Sequence, residues 1–242
     1  MTYEAVLFDN DGVLVEPVGM DVLRRAARAA FDALGVTDPD PEDVDRLAIG
    51  VTPDVLSSVC DAYGLDPDRL WRTRDHHSSH AQRAEFRAGR ADLYDDFDAI
   101  RRVDAPLGIV SSNQQVTIDF MHDFFTTRGL FATVHGREPT VESLARKKPD
   151  PHYVHRALSD VGVDADAALF VGDSESDLRA ARAADLDAAF VRRPHRESYD
   201  LSVAPTYELD GLEALLALDD VPTAPPSRDR DRDRDRERER AR

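Results

Sequence analysis

Two carboxylates stand two residues apart where an apolar run stops: Asp9 and Asp11 in AVLFDNDGVLV, residues 5–15. Asp, Asn and Gly all favour turns, so Asp-Asn-Asp-Gly reads either as a plain turn or as a catalytic or metal site at a strand end. In extended backbone, alternate side chains face opposite ways, which puts Asp9 and Asp11 on one side and Asn10 on the other. Two other strand ends and the approach to a later helix offer further polar groups. GIVSSN brings Ser111, Ser112 and Asn113; KKPDP brings Lys147 and Lys148; ALFVGDSESD brings Asp173 and Asp177. Each alone is explained by a turn, a helix cap or a solvated charge. Taken together, they offer carboxylates for attack, proton transfer and divalent-metal binding, with a hydroxyl and an ammonium beside them.

These residues need a scaffold that gathers strand ends. Short apolar runs at 4–8, 106–110, 131–135, 167–171 and 187–191 read as strands. Helical spacing marks 20–34, about 114–126, 149–163, 176–184 and 211–218 between or beside them. The expected class is α/β, with a doubly wound, Rossmann-like parallel sheet whose ligands sit at the carboxyl ends of the strands. Between about 16 and 90 no strand is evident. Thr52-Pro53 starts a helix that Gly64 ends, and another begins near Asp66-Pro67. The chain therefore divides into a core (1–15 and 91–221), a helical insert (16–90) and a charged tail (222–242).

Four motifs in this order resemble the haloacid dehalogenase superfamily over about residues 4–220: FDNDGVL, GIVSSN, KPDP and VGDSESD. The resemblance implies an inserted α-helical cap domain and phosphatase chemistry on a small phosphorylated metabolite, with phosphoglycolate one such substrate. It implies Asp9 as nucleophile through an aspartyl-phosphate, and Asp11 as acid and then base. Mg²⁺ would be held by Asp9, the Asp11 backbone carbonyl and Asp173. Ser111 and Lys148 would bind the phosphoryl group, with Asp177, Ser112, Asn113 and Gly12 in support. The physical logic agrees, because a phosphate dianion repels an anionic nucleophile and needs positive charge beside it. The acid at position 11 favours phosphoryl transfer over carbon–halogen cleavage, since a halide leaves without a proton. The lysine-free insert disfavours imine-forming phosphonate cleavage. A sugar-phosphate mutase and a non-enzymatic phosphate-binding protein stand as alternatives. The loop at Gly50, Val51 and Thr52 matches the position of the family's substrate-facing cap loop but is not basic. Arg46, Arg72 and Arg74 are candidates for contacting an anionic leaving group.

The 242 residues carry a formal net charge of -17, which argues against nucleic acid as a partner. Only two of the 31 basic residues are lysines, Lys147 and Lys148. This acidic, lysine-poor composition resembles that of proteins from salt-loving archaea. Of the two lysines, Lys148 precedes Pro149 and is the motif residue, and Lys147 is expected in solvent. The single cysteine, Cys60, excludes an intrachain disulfide and reads as buried. No apolar run is long enough for a membrane span and no signal-peptide layout appears, so a cytoplasmic protein is expected. His76 and His80 share a helix face, and a zinc site there is conceivable. Phe86, Tyr94 and Phe97 read as the return into the core. Residues 228–242 alternate Arg with Asp or Glu and are not expected to pack.

Overall fold

Strand β1 (Ala5–Phe8) is buried at every residue because helices cover both faces of its sheet. The structure is a computed structural model that describes residues 2–224; all but the first three residues of the charged tail lie outside them. Its sheet contains β2 (Leu107–Gln114), β3 (Thr133–Arg137), β4 (Ala168–Gly172), β5 (Asp187–Val191) and β6 (Tyr207–Leu209). The order is β3-β2-β1-β4-β5-β6, and every pairing is parallel. The period of two sorts side chains between the two faces. Val6, Phe8, Ile109, Leu169, Val171, Ala189 and Val191 lie in one apolar cluster. Ala5, Leu7, Val110, Ala168, Phe170, Ala188 and Phe190 lie in the other.

The first face packs against α5 (Gln115–Phe124) through Ile118 and Met121. The second packs against α7 (His152–Val161) and α8 (Glu175–Ala183) through Tyr153, Val154, Ala157, Leu178, Ala180 and Ala181. β1 lies between β2 and β4, so the chain's crossovers run to opposite sides of it. A crevice forms at such a switch point, beyond the strands' carboxyl ends.

Between β1 and β2 the chain forms α1 (Met20–Ala33), α2 (Pro41–Ala48), α3 (Pro53–Tyr63) and α4 (Pro67–Arg87). The last three start alike. The side chains of Asp40, Thr52 and Asp66 accept from backbone N–H groups in the first turn, and Pro follows each cap. The same cap-Pro pattern, Asp40-Pro41, marks the start of α2 in the sequence. These helices, with Leu144 from the later chain, bury a cluster that includes Phe31, Leu47, Leu56, Val59, Cys60, Leu70 and Trp71. No helix among the described residues is long and apolar enough to cross a membrane.

Some expectations about elements are corrected. Residues 212–217 form a 3₁₀ helix, not an α-helix. Leu212 and Leu215 are both fully buried, and their spacing of three suits the 3₁₀ repeat. β6 and the short α6 (Glu142–Arg146) were not foreseen. β3 begins at Thr133 rather than Phe131, and β2 runs on through Ser111–Gln114 with an irregular register after Val110. That irregularity carries the polar end of β2 into the crevice. The first tail residues pair with the core, since Ala224 N–H donates to the Arg102 carbonyl at 2.8 Å.

Candidate active site

Asp9 follows β1 directly, and its N–H donates to the Val171 carbonyl on β4 at 2.9 Å. That bond ties the first carboxylate to the strand that supplies Asp173. Lys148 Nζ lies 2.8 Å from Asp9 Oδ1 and 2.6 Å from Asp177 Oδ1. The Lys148 and Asp177 side chains are 2 % and 0 % exposed, while Asp9 keeps 13 %; of these three, Asp9 is the group a solute can reach. Burial pushes the Lys148 ammonium down, but the Asp177 and Asp9 charges outweigh it and its pKa is raised. Burial raises the Asp9 carboxyl strongly, with the Lys148 charge opposing and Asp177 and Asp173 adding to the rise.

Asp177 has a second duty. Its Oδ2 accepts from the N–H groups of Asp173 (3.2 Å) and Ser174 (3.0 Å) and from the Ser174 hydroxyl (2.6 Å), capping α8. A Cβ at Gly172 would come within 2.3 Å of Asp177 Cβ, so glycine is required there. The Asp177 carboxylate thus both caps a helix and faces Lys148.

Asp11 sits among amides. Asn113 Nδ2 donates to both of its oxygens at 3.2 Å, Asn10 Nδ2 donates to Oδ2 at 3.3 Å, and Ser111 Oγ lies 3.5 Å from Oδ2. Burial raises the Asp11 pKa, opposed by the Asn113 and Asn10 bonds. A raised carboxyl suits a group that must donate a proton. Asn113 Nδ2 also donates to Gln82 Oε1 on α4 at 2.8 Å. Ser111 Oγ accepts from Asn113 N–H at 3.0 Å, which fixes the hydroxyl at the end of β2.

On the far side, Asp173 Oδ2 accepts from His195 Nε2 at 2.7 Å and from Arg196 Nε at 3.1 Å. Burial raises the Asp173 carboxyl, but the His195 bond and the Arg196 charge outweigh it and hold the pKa below the usual range. Gly12 has φ +87°, and a Cβ there would lie 2.5 Å from Asp173 Oδ2. The turn can approach this carboxylate only without a side chain.

The carboxylates of Asp9, Asp173 and Asp177 offer oxygens within 4.8 Å of one another. An all-oxygen, anionic set of this kind fits a hard divalent cation. Both Asp177 oxygens are already engaged, which leaves Asp9 and Asp173 as the available carboxylate pair. His195 and Arg196 show that Asp173 faces a position favourable to positive charge. His76 and His80 are exposed and lie outside this cluster.

The structure brings Asp9, Asp11, Ser111, Asn113, Lys148, Asp173 and Asp177 to one sheet edge. Ser112 is adjacent and gives its carbonyl to Arg137 Nε at 3.2 Å. Gly50 and Thr52 are exposed, and Val51 is buried with its carbonyl accepting from Lys147 Nζ. Lys147 is therefore not a solvated charge. It joins the core to the insert, and burial together with Arg137 and Arg74 pulls its pKa down to about 8. Arg74 is no surface arginine either. It is buried, donates to the Leu47 and Ala48 carbonyls and pairs with Asp75. Arg46 pairs with Asp43 at 2.8 Å, and Arg72 is exposed. Phe86 and Phe97 join the core cluster, but Tyr94 does not: it stacks under Arg193 at 3.7 Å and lies 3.4 Å from His195.

Several residues escaped the sequence reading. His195 and Arg196 follow the strand end of DAAFV, so the rule that found the other positions would have found them. Gln82, and Arg137 with its bidentate pair to Asp75 (2.6 and 2.7 Å), carried no local pattern. Nor did His122, which donates from Nε2 to Asn10 Oδ1 at 2.8 Å. Burial, with Arg128 adding to it, lowers the His122 pKa to about 4. Above pH 6.5 the ring is neutral in both folded and unfolded chains. As pH falls from 6.5 toward 4, the unfolded chain takes up a proton that the folded chain refuses, so stability is lost, by about 2 kcal/mol at pH 5. Denaturant melts at pH 7 and pH 5 should show this loss, and His122→Phe should remove about that much of the pH dependence.

Known proteins resemble this chain. The haloacid dehalogenase-like hydrolase family matches residues 6–191. A phosphoglycolate phosphatase of Chromobacterium violaceum is 26 % identical over 219 residues, covering 85 % of this chain and 96 % of that protein. Pyrophosphatase PpaX of Bacillus velezensis is 29 % identical over 130 residues, 53 % of this chain; that match spans only 58 % of the relative. Among solved structures, CbbY of Rhodobacter sphaeroides, in complex with phosphate, superposes with a TM-score of 0.68 at 22 % identity, covering 88 % of this chain and 96 % of that one. With its parallel sheet, its three strand-end motifs, the lysine that precedes α7 and this match, the chain belongs to the haloacid dehalogenase-like hydrolase family.

Proposed function

We infer that the protein is a Mg²⁺-dependent phosphomonoester hydrolase that works through an aspartyl-phosphate on Asp9. The observation that carries this reading is the Asp9–Lys148–Asp177 arrangement, in which one reachable carboxylate is paired to a buried ammonium. Lys148 holds Asp9 in place and keeps positive charge where phosphoryl oxygens would lie. Asp9 attacks phosphorus, the bond to the leaving oxygen breaks, and Asp11 gives that oxygen its proton. Asp11 then takes a proton from the water that attacks the phosphoenzyme, releasing phosphate and restoring Asp9. Ser111 donates a hydrogen bond to a phosphoryl oxygen. Asp9 and Asp173, with the Asp11 carbonyl, would hold Mg²⁺, which when bound offsets the charge of the phosphate dianion.

Residues 16–90 are assigned as the cap over a core of 1–15 and 91–221. Their run of helices and an apolar cluster that is mostly their own support that division, while Leu144, Lys147 and Arg137 join the insert to the core and Phe86 packs into the core cluster. Relatives named phosphoglycolate phosphatase support a small phosphorylated metabolite as substrate. The test is hydrolysis of 4-nitrophenyl phosphate with and without Mg²⁺, at several salt concentrations, followed by a screen of phosphorylated metabolites. Turnover that EDTA stops and Mg²⁺ restores is the expected result. Turnover indifferent to EDTA overturns the metal assignment, and no hydrolysis of any phosphate ester overturns the whole reading.

A further inference from the structure

The residue between the two motif carboxylates is wholly buried and polar. Asn10 is 0 % exposed, and every polar group of its amide is used. Nδ2 donates to Asp11 Oδ2 at 3.3 Å and to Met121 Sδ at 3.2 Å, and Oδ1 accepts from His122 Nε2 at 2.8 Å. His122 is itself 0 % exposed. Its Nδ1 lies 2.7 Å from the hydroxyl of Thr127, which is fixed at the end of α5 because Thr127 N–H donates to the His122 carbonyl at 2.8 Å. The ring also packs edge-on against Phe131 at 5.1 Å.

The protons in this chain can be placed. A carboxylate only accepts, so the Asn10 group facing Asp11 is the NH₂. The carbonyl end of the amide then faces His122, which must donate from Nε2. A neutral ring with its proton on Nε2 accepts at Nδ1, and the Thr127 hydroxyl supplies that bond. Every partner is fixed by the next, from Thr127 to Asp11. Without His122 the amide could turn over, and its oxygen would then face the Asp11 carboxylate.

We propose that Asn10, backed by His122 and Thr127, is a positioning residue that orients the Asp11 carboxyl for proton transfer to the leaving oxygen. The proposal rests on the reading of Asp11 as acid and base. It differs from a packing role in what it demands of the substrate. Two apolar side chains would fill the same space between β1 and α5, and the Thr127 hydroxyl would keep the His122 carbonyl, 3.5 Å away, as its acceptor. An amide–imidazole pair does more only if its donor is used.

The test compares two substrates. 2,4-Dinitrophenolate leaves without a proton, whereas the phenolate of phenyl phosphate needs one. Asp11→Asn sets the scale, with a large loss on phenyl phosphate and a small one on the dinitrophenyl ester in the first half-reaction, read as single-turnover rates. Asn10→Leu/His122→Phe, which exchanges the polar pair for an apolar one, should slow the phenyl ester about tenfold and the dinitrophenyl ester less than about twofold. Thr127→Val, which frees the ring tautomer without changing shape, should show a smaller loss of the same selective kind. Melting curves confirm that the variants are folded. Equal losses on both esters, or none on either, overturn the proposal. If Asp11→Asn itself shows no dependence on the leaving group, the assignment of Asp11 falls and takes the proposal with it.

Discussion

Asp9→Asn should reduce turnover by at least about 10⁴-fold, because the amide is a poor nucleophile and no other group can take its place. Asp9 alone of the Asp9–Lys148–Asp177 triad is open to a solute, and the other two are sealed beneath it. The amide keeps nearly the same shape, and one carbonyl oxygen can still face Lys148 Nζ. The fold should survive, and the melting temperature should change little beside the loss of rate. Single-turnover assays with a labelled phosphate ester should find no acid-stable phosphate on the variant, whereas the parent enzyme carries label after a rapid acid quench. Hydrolysis at an undiminished rate would remove Asp9 as the nucleophile.

Lys148→Met should injure both stability and rate. The ammonium is buried between Asp9 and Asp177, and removing it strands carboxylates in a site built for three charges. Breaking a buried ion pair in this way costs about 3–5 kcal/mol. At about 2–4 °C per kcal/mol for a chain of this size, the melting temperature should fall by roughly 6–20 °C. The rate should fall by about 10²–10³-fold, as expected when one donor to a phosphoryl group is lost. The two effects can be separated. Asp177→Asn added to Lys148→Met removes one stranded charge while keeping an oxygen to cap α8, so melting temperature should recover in part and activity should not. An unchanged melting temperature in Lys148→Met would mean that the carboxylates are not held charged beside the ammonium.

The strand ends were readable because short apolar runs stop abruptly and polar residues begin. Asp9 and Asp173 follow the last residues of β1 and β4, Ser111 sits where the regular pairing of β2 breaks, and parallel strands must present those positions at one edge. Lys148 was readable for a different reason: in a chain that uses arginine almost throughout, a lysine before Pro149 stood out. What escaped depends on contacts between distant positions. Arg137 meets Asp75 across 62 residues and His122 meets Asn10 across 112, and neither pair leaves a periodic trace. Arginine is so common on this surface that buried Arg74 and Arg137 looked no different from their solvated neighbours. Lys147 was misplaced because its partner is a backbone carbonyl, which no side-chain pattern reveals. The last helix was misread because a spacing of three between leucines satisfies both an α and a 3₁₀ reading until the turn is built.

The Gln82 contact bears on timing. Gln82 belongs to α4 and Asn113 to the sheet edge, and their amides exchange two bonds: Asn113 Nδ2 donates to Gln82 Oε1 at 2.8 Å and Gln82 Nε2 donates to Asn113 Oδ1 at 3.5 Å. One hydrogen of the Asn113 amide points to Gln82 while the other points to Asp11, so the two bonds share one rotation. Moving α4 away would break the first and leave the second free to swing. Asp11 thereby registers whether α4 is seated, through neutral groups that salt screens little. In a protein so acidic, a mechanical link of this kind would work alike in dilute and concentrated brine, where a charged latch would weaken as ionic strength rises. The proton transfer proposed for Asp11 would then depend on α4 as well as on the sheet.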